Sequence, residues 1–328
     1  MSDVAKRAGV NRVTVSVALN GTAHAGTRVS EATRQRVLEA ARELGYAPSA
    51  VALALRRQRT NIIGYYTGFE SLNAHDPFTG IVLNGLQKSC RQHQQDLLLF
   101  GSFERSSVDD IYAALAGGKI DGLVVLHTPH SPVMDKLLSS HLPVVAIANP
   151  VPSLPSVTVD DVVGSQMLAR YLAQQGHRRI LYRADDVPHS STIRRCEAFM
   201  QTAAELGLTV TTSAESRDGH ITPSEITLFT QTPRDKRPTA AVSWVDSYAY
   251  RFIEDCTKHG IRVPDDLAVV GFDGVEYEIP LAYRLTTIRA PWEEAAETAM
   301  NLLMALIEGQ EVEREIMLPV TLVIGDTA

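Results

Sequence analysis

The chain has 328 residues, 45% of them apolar and 21% charged, too apolar for a disordered chain and long enough for two or three globular units. Lys and Arg number 31 against 38 Asp and Glu, a formal net charge of -7, which over the whole chain argues against a general nucleic-acid or anionic-membrane binder. Three widely spaced cysteines without a CxxC pair and ten scattered histidines exclude a disulfide scaffold, a zinc ribbon and any cofactor held by clustered His and Cys ligands.

The start, Met1 to Gly9, lacks the apolar core of a secretion signal. The longest uncharged stretch, Leu142 to Val159, is broken by Pro143, Pro150, Pro152 and Pro155 and cannot be a membrane helix. A cytosolic protein without a membrane partner is expected. The charge is uneven along the chain. Residues 1–60 hold ten basic groups and four acidic ones, a net +6 that leaves −13 on the remainder. A basic head on an acidic body suits a nucleic-acid partner for the head, although a solvated basic helix face gives the same count.

In chain order, Ser2 can cap a first helix that Gly9 ends, and Asn11 can cap a second, Arg12 to Leu19, ended by Asn20-Gly21. Ser30 can cap a third, in which Val37, Leu38, Ala41 and Leu44 form one apolar stripe before Gly45. Two short helices joined by a glycine-containing turn and braced by a third make helix-turn-helix geometry. In the second helix Val15, Ala18 and Leu19 would face inward, with Arg12, Val13, Ser16 and Val17 outward. Outward valines suit thymine methyl groups in a major groove; inward packing of either is the alternative.

These residues carry a resemblance. Asp3-Val4-Ala5-Lys6-Arg7-Ala8-Gly9-Val10, Thr14-Val15-Ser16, Leu19-Asn20-Gly21, Val29-Ser30-Glu31-Ala32-Thr33-Arg34 and Leu44-Gly45-Tyr46-Ala47-Pro48 resemble the DNA-binding head of the LacI/GalR family of bacterial transcription regulators. The resemblance places Arg12, Val13, Thr14, Ser16 and Val17 on the recognition helix and Asn20, Ser30 and Thr33 at the backbone phosphates. Three features depart from the family pattern. The usual few residues ahead of the first helix are missing, which points to a start upstream of Met1 or a loosely anchored first helix. The Gly21–Arg28 loop is long, and Val17 stands where many members carry arginine.

Residues 49–59, after Pro48, look like the family's hinge segment, helical only when two subunits sit together on DNA. By that resemblance Ala52 and Leu55 reach the minor groove, where a leucine wedge can kink the duplex while Arg56, Arg57 and Arg59 neutralise phosphate. So short a helix is not stable alone, so folding coupled to binding is expected.

From Asn61 the pattern becomes βαβα. Strand-like runs are Ile62–Tyr66, Asp96–Phe100, Gly122–Leu126, Val144–Ala148, Ile180–Arg183, Ala240–Trp244 and Leu267–Phe272, separated by helical runs such as Gly80–Gln94, Gly164–Gln175, Ser191–Leu206 and Asp246–Lys258. Apolar strands alternating with amphipathic helices imply parallel sheets covered on both faces. A break near Asp160-Asp161 suggests two lobes, and Leu285–Arg289 and Ile316–Ile324 would return the chain to the first.

Ile120-Asp121-Gly122-Leu123, Val159-Asp160-Asp161 with Gly164, Gly176-His177-Arg178-Arg179-Ile180, Val263-Pro264-Asp265-Asp266 and Val269-Val270-Gly271-Phe272-Asp273 resemble that family's regulatory domain. The resemblance thus implies an α/β protein: an N-terminal all-α helix-turn-helix head plus a two-lobed, type I periplasmic-binding-protein-like body with parallel sheets. The expected domains are 1–47 for the head, 48–60 for the hinge and 61–328 for effector binding and dimerisation. The first lobe takes about 61–159 and 290–328, the second about 160–289.

Ligands in open α/β sheets bind beyond the carboxyl ends of the strands. A sugar or polyol there needs carboxylates, a guanidinium and an aromatic face. The candidates are Phe78, Asp161, Ser191, Arg195, Asp246, Asp273 and Trp292. Arg195 falls in Ser191-x-x-x-Arg195-x-x-Ala198-Phe199, close to the family's effector-contacting arginine motif with Ala198 for the usual glycine. Asp273 sits where the family places a ligand-contacting acid, and Val245 occupies an often polar position. No GxGxxG, P-loop, GxSxG or HExxH is present, which argues against an enzyme.

Together these features describe a sequence-specific regulator, a repressor by resemblance, acting as a homodimer on a near-palindromic operator. A small carbohydrate-like effector would modulate it. The alternative is a sugar-binding or sugar-processing protein without a DNA role. On the main reading Leu55→Ala should weaken binding to a selected operator by about 1–3 kcal/mol and leave effector affinity unchanged; equal losses on operator and random DNA would contradict the wedge.

Overall fold

The computed structural model describes residues 1–20, 29–47, 49–68, 76–101, 107–126, 131–184, 189–214, 218–275 and 283–328. The expected long loop, Gly21–Arg28, and Pro48 lie outside the described residues. The chain divides into two compact units, Met1–Asn61 and Ile62–Ala328.

In the first unit α1 (Ser2–Ala8), α2 (Arg12–Asn20) and α3 (Glu31–Glu43) pack around Val4, Ala5, Val15, Ala18, Val37 and Ala41. Ser2 does not cap α1. It lies inside the helix, whose cap is Met1 with no side-chain bond, and Gly9 closes it in the left-handed conformation, φ 66°. Asn11 does cap α2, its Oδ1 accepting from Thr14 N at 2.7 Å, and Ser30 caps α3 by accepting from Thr33 N. Residues 50–57, expected to be helical only beside a partner on DNA, form α4 (Ala50–Arg57) in the single chain. Local chemistry accounts for it: Ser49 accepts from Ala52 N and Gln58 closes the end at φ 52°.

Among the described residues the second unit holds two six-stranded sheets. The first comprises β1 (Ile62–Tyr66), β2 (Asp96–Phe100), β3 (Gly122–Val125), β4 (Val144–Ile147), β5 (Ser156–Val159) and β11 (Glu315–Leu318), in the order β11-β5-β4-β3-β1-β2, all parallel. The second comprises β6 (Arg179–Ala184), β7 (Thr209–Ala214), β8 (Ala240–Ser243), β9 (Ala268–Asp273), β10 (Thr286–Arg289) and β12 (Thr321–Val323), ordered β12-β10-β9-β8-β6-β7. Only β12 pairs antiparallel, with β10. The expected run Ile316–Ile324 is two strands because Pro319, which has no N–H to donate to a ladder, stands between them. Beyond it the chain leaves the first lobe, which corrects the assignment of all of 290–328 to that lobe: β12 joins the second sheet and Thr327 bonds Val269.

The chain therefore crosses between sheets after β5, after β10 and after β11. Each sheet stands on helices. α5 (Pro77–Gln92) and α12 (Trp292–Ile307) cover one face of the first, packed so closely that a Cβ on Gly85 would lie 2.6 Å from the Glu293 carbonyl oxygen. α6 (Val108–Ala116) and α7 (Pro132–Leu138) cover the other face. In the second lobe α8 (Asp161–Gln174) and α9 (Ser190–Glu205) take one face, and α10 (Pro223–Gln231) and α11 (Asp246–Lys258) the other. No helix among the described residues is long and apolar enough to cross a membrane.

One buried ion pair braces the second lobe. Arg183 is fully buried; its Nε donates to Glu225 at 2.9 Å, its other nitrogens to Ser243 Oγ and the Gly219 and His220 carbonyls, and its plane lies on Phe252. Removing one partner of such a pair strands a buried charge, whereas removing both does not. Arg183→Leu should cost about 3–5 kcal/mol in denaturant unfolding, and Arg183→Leu with Glu225→Leu should recover part of that. A single variant as stable as the parent would contradict the brace.

Candidate functional site

The carboxyl ends of both sheets converge on one guanidinium. Arg195 rises from the first turns of α9 and is 4% exposed. Its Nε donates to Asp161 Oδ1 at 2.7 Å, Nη1 to the Trp244 carbonyl at 2.8 Å and Nη2 to Asp273 Oδ1 at 3.4 Å. Its plane stacks 3.7 Å from the Phe272 ring. Asp161 begins α8 and also receives Arg194 at Oδ2. This is the charge-assisted fork that an arginine makes and a lysine does not.

Asp273 ends β9 at φ 118°, a conformation that L side chains rarely adopt. Its Oδ1 accepts both from Arg195 and, at 3.2 Å, from the Trp292 indole N–H on α12. That indole bond joins the second sheet to a helix of the first lobe. Phe78, from the first turn of α5, meets Trp292 edge-to-face with centroids 5.0 Å apart. Asp246 opens α11; its oxygens accept from Thr287 Oγ1 at 2.5 Å and Val275 N at 2.8 Å, so it props the segment after β9 and does not cap its own helix. Gly271 is required beside it, since a Cβ there would meet Asp246 Oδ1.

The seven expected cleft residues thus fall into one region. Phe78, Trp292, Asp273, Arg195 and Asp161 form a continuous chain of contacts, and Asp246 supports it. Ser191 N and Oγ both donate to Asn149 Oδ1, a second link across the lobes. Sequence reasoning missed Asn149, the Trp244 carbonyl and Phe272. Asn149 was legible as a polar residue directly after an apolar strand; a carbonyl and an aromatic under a guanidinium leave no such mark.

Burial raises the Asp246 carboxyl well above its ordinary range, and the Asp273 charge pushes it further. Asp273 is pushed up to about 7, first by burial and then by Asp76 and Asp161, while Arg195 and the Trp292 N–H pull the other way. Among the described residues no group of His, Cys, Asp and Glu could hold a metal ion.

In the head, Arg12 and Val13 are exposed, Val13 by 49%, whereas Val17 is buried at 8%, against its expected outward role. Part of that face is covered within the unit, as Arg56 of α4 reaches the neighbouring Ser16 at 3.5 Å. Thr14 and Ser16 are half-buried; Ser30 and Thr33 hydrogen-bond each other at 2.9 Å, and the side chain of Asn20 lies outside what is described. On α4, Ala52 and Leu55 share one face and Leu55 is 82% exposed, with Arg56 beside it.

Residues 1–49 match the family described as bacterial regulatory proteins, lacI family, and residues 169–328 the periplasmic binding protein-like domain. An HTH-type transcriptional repressor PurR from Photobacterium profundum is 30% identical over 323 residues, covering 96% of this chain and 94% of that one. The PurR of Vibrio cholerae serotype O1 is 29% identical over 329 residues, with the same coverage. The crystal structure of the Lac repressor dimer bound to operator and the anti-inducer ONPF shares the fold, with TM-score 0.82 and 24% identity over 99% of this chain and 97% of that one.

The raised Asp273 fixes the sign of one pH effect. Between about pH 4 and about 7 the folded chain keeps a proton that the unfolded chain has released, so this contribution to stability falls as pH rises and is level above that window. The Tm of the parent minus that of Asp273→Asn should therefore fall from acid to neutral pH, and a difference constant across that range would contradict the assignment.

Proposed function

The chain belongs to the LacI family of bacterial regulatory proteins, and we propose that it is an operator-binding repressor controlled by a small ligand held between the two lobes of its second unit. The observation that carries this reading is Arg195, buried between Asp161 and Asp273 where the Trp292 indole ties the lobes together. A ligand entering there must compete with, or add to, contacts that set the lobe arrangement. It therefore binds two arrangements with different affinity, which is all that allosteric control requires.

The ligand is a sugar or related polyol. Carboxylates and a guanidinium to meet hydroxyls, with the half-buried Phe78 ring for C–H surface, support that class. DNA contact falls to Arg12, Val13, Thr14, Ser16, Asn20, Ser30 and Thr33, with Ala52, Leu55 and Arg56 of α4 at the minor groove. Val17 joins only if its cover moves. A homodimer on a near-palindromic site, in the cytoplasm, completes the reading; the Lac repressor structure of the same fold is a dimer on its operator. A sugar-binding protein without a DNA role does not account for residues 1–49.

Arg195→Ala should abolish the ligand response of operator binding while operator binding itself persists, measured by anisotropy on a selected operator. Arg195→Lys, which keeps the charge and loses the fork, should also lose the response while preserving more of the fold. A normal response in either variant would remove Arg195 from the ligand path.

A further inference from the structure

Helix N-termini at the carboxyl ends of parallel strands are ready-made anion sites, with free amides and a positive dipole end. Here the chain's own oxygens occupy three of them. Asp76 accepts from Thr79 N at the start of α5, and Asp160 from Val163 N at the start of α8. The first turn of α9 gives the Ser191 amide to Asn149 Oδ1. The starts of α11 and α12 carry no side-chain cap; Asp246 there bonds Thr287 and Val275, and Glu293 pairs with Lys88.

The side-chain cations are equally taken. Arg194 and Arg195 both rest on Asp161, and Arg195 reaches Asp273 as well. Two guanidiniums thus meet two buried carboxyls, Asp161 and Asp273, with Asp76 near enough to act on Asp273. A phosphate or carboxylate that recruited Arg194 or Arg195 would have to break their charge-assisted bonds to Asp161 and leave that buried carboxylate under-paired, which is strongly unfavourable. An uncharged hydroxyl or amide meets no such penalty.

Building on the reading of this cleft as the effector site, we propose that it takes an uncharged ligand in its free form and rejects the phosphate ester or carboxylate of the same molecule. Such a regulator reports a compound before the reaction that phosphorylates or oxidises it.

The chain has two tryptophans, so an indole-labelled protein gives two N–H resonances, assigned through Trp244→Phe. Trp292 donates to Asp273 and reports on the cluster directly. The full-length protein is titrated at constant ionic strength with inorganic phosphate and with matched pairs: glucose and glucose 6-phosphate, galactose and galactose 1-phosphate, ribose and ribose 5-phosphate. Phosphate and the esters should leave the Trp292 resonance without a saturable shift. In Asp273→Asn, a residue type that tolerates positive φ better than most, inorganic phosphate should bind at least about tenfold more tightly. Asp161→Asn serves if that variant does not fold.

A saturable shift by phosphate or by an ester stronger than its parent sugar overturns the proposal. So does a folded Asp273→Asn or Asp161→Asn chain as indifferent to phosphate as the parent. If no sugar moves either indole, the carbohydrate assignment falls, while the anion titrations still decide the charge of the site.

Discussion

The second unit is organised around a guanidinium that water does not reach. A buried arginine is tolerable only when its charge and its donors are met. Meeting them for Arg195 requires Asp161 from the start of α8, Asp273 at the end of β9 and the carbonyl of Trp244 beyond β8. Asp161 follows β5 of the first sheet, and Trp244 and Asp273 stand at the ends of β8 and β9 in the second, so the carboxyl ends of these three strands cannot shift independently. Asp273 stands there in a strained backbone conformation, φ 118°, and Asp246 with Gly271 holds the turn that imposes it. Through the Trp292 indole the same carboxylate reaches the first lobe. Charge compensation at one residue thereby becomes a constraint on the relation between lobes, which is what ligand control needs.

The two units divide the chemistry by charge. The +6 of the first sixty residues is suited to phosphate, and the −13 of the rest suits the cleft, where Asp76 and Asp160 cap the helix ends of α5 and α8 that would otherwise attract anions. The overall -7 hides both, because the average of a basic DNA-facing surface and an acidic ligand-facing one describes neither.

The polar motifs were legible because each needs a particular residue type. Asn11 and Ser30 cap helices where the sequence suggests, and α11 runs Asp246–Lys258 as expected from its periodicity. The strands with continuous apolar runs, such as Ile62–Tyr66, were equally plain. β7 was not, since Thr209–Ala214 is polar and lies at a sheet edge, and β5 hides in a proline-rich stretch. Val17 misled because helical spacing says which residues share a face, not what covers that face in the folded unit. The cluster around Arg195 was half legible. Its arginine and acids stand in motifs, but that Trp244 contributes a carbonyl and Asn149 an interlobe acceptor depends on tertiary placement.

On the proposed mechanism, one buried cluster couples ligand occupancy to both lobes. Hydrogen exchange on the full-length protein tests that coupling most directly, with and without the sugar that most raises its Tm. Exchange should slow in both lobes at once, at Asn149–Val151 and the start of α12 on one side and at the first turn of α9 and the end of β9 on the other. Protection confined to a single lobe, or to residues remote from Arg195, would contradict it.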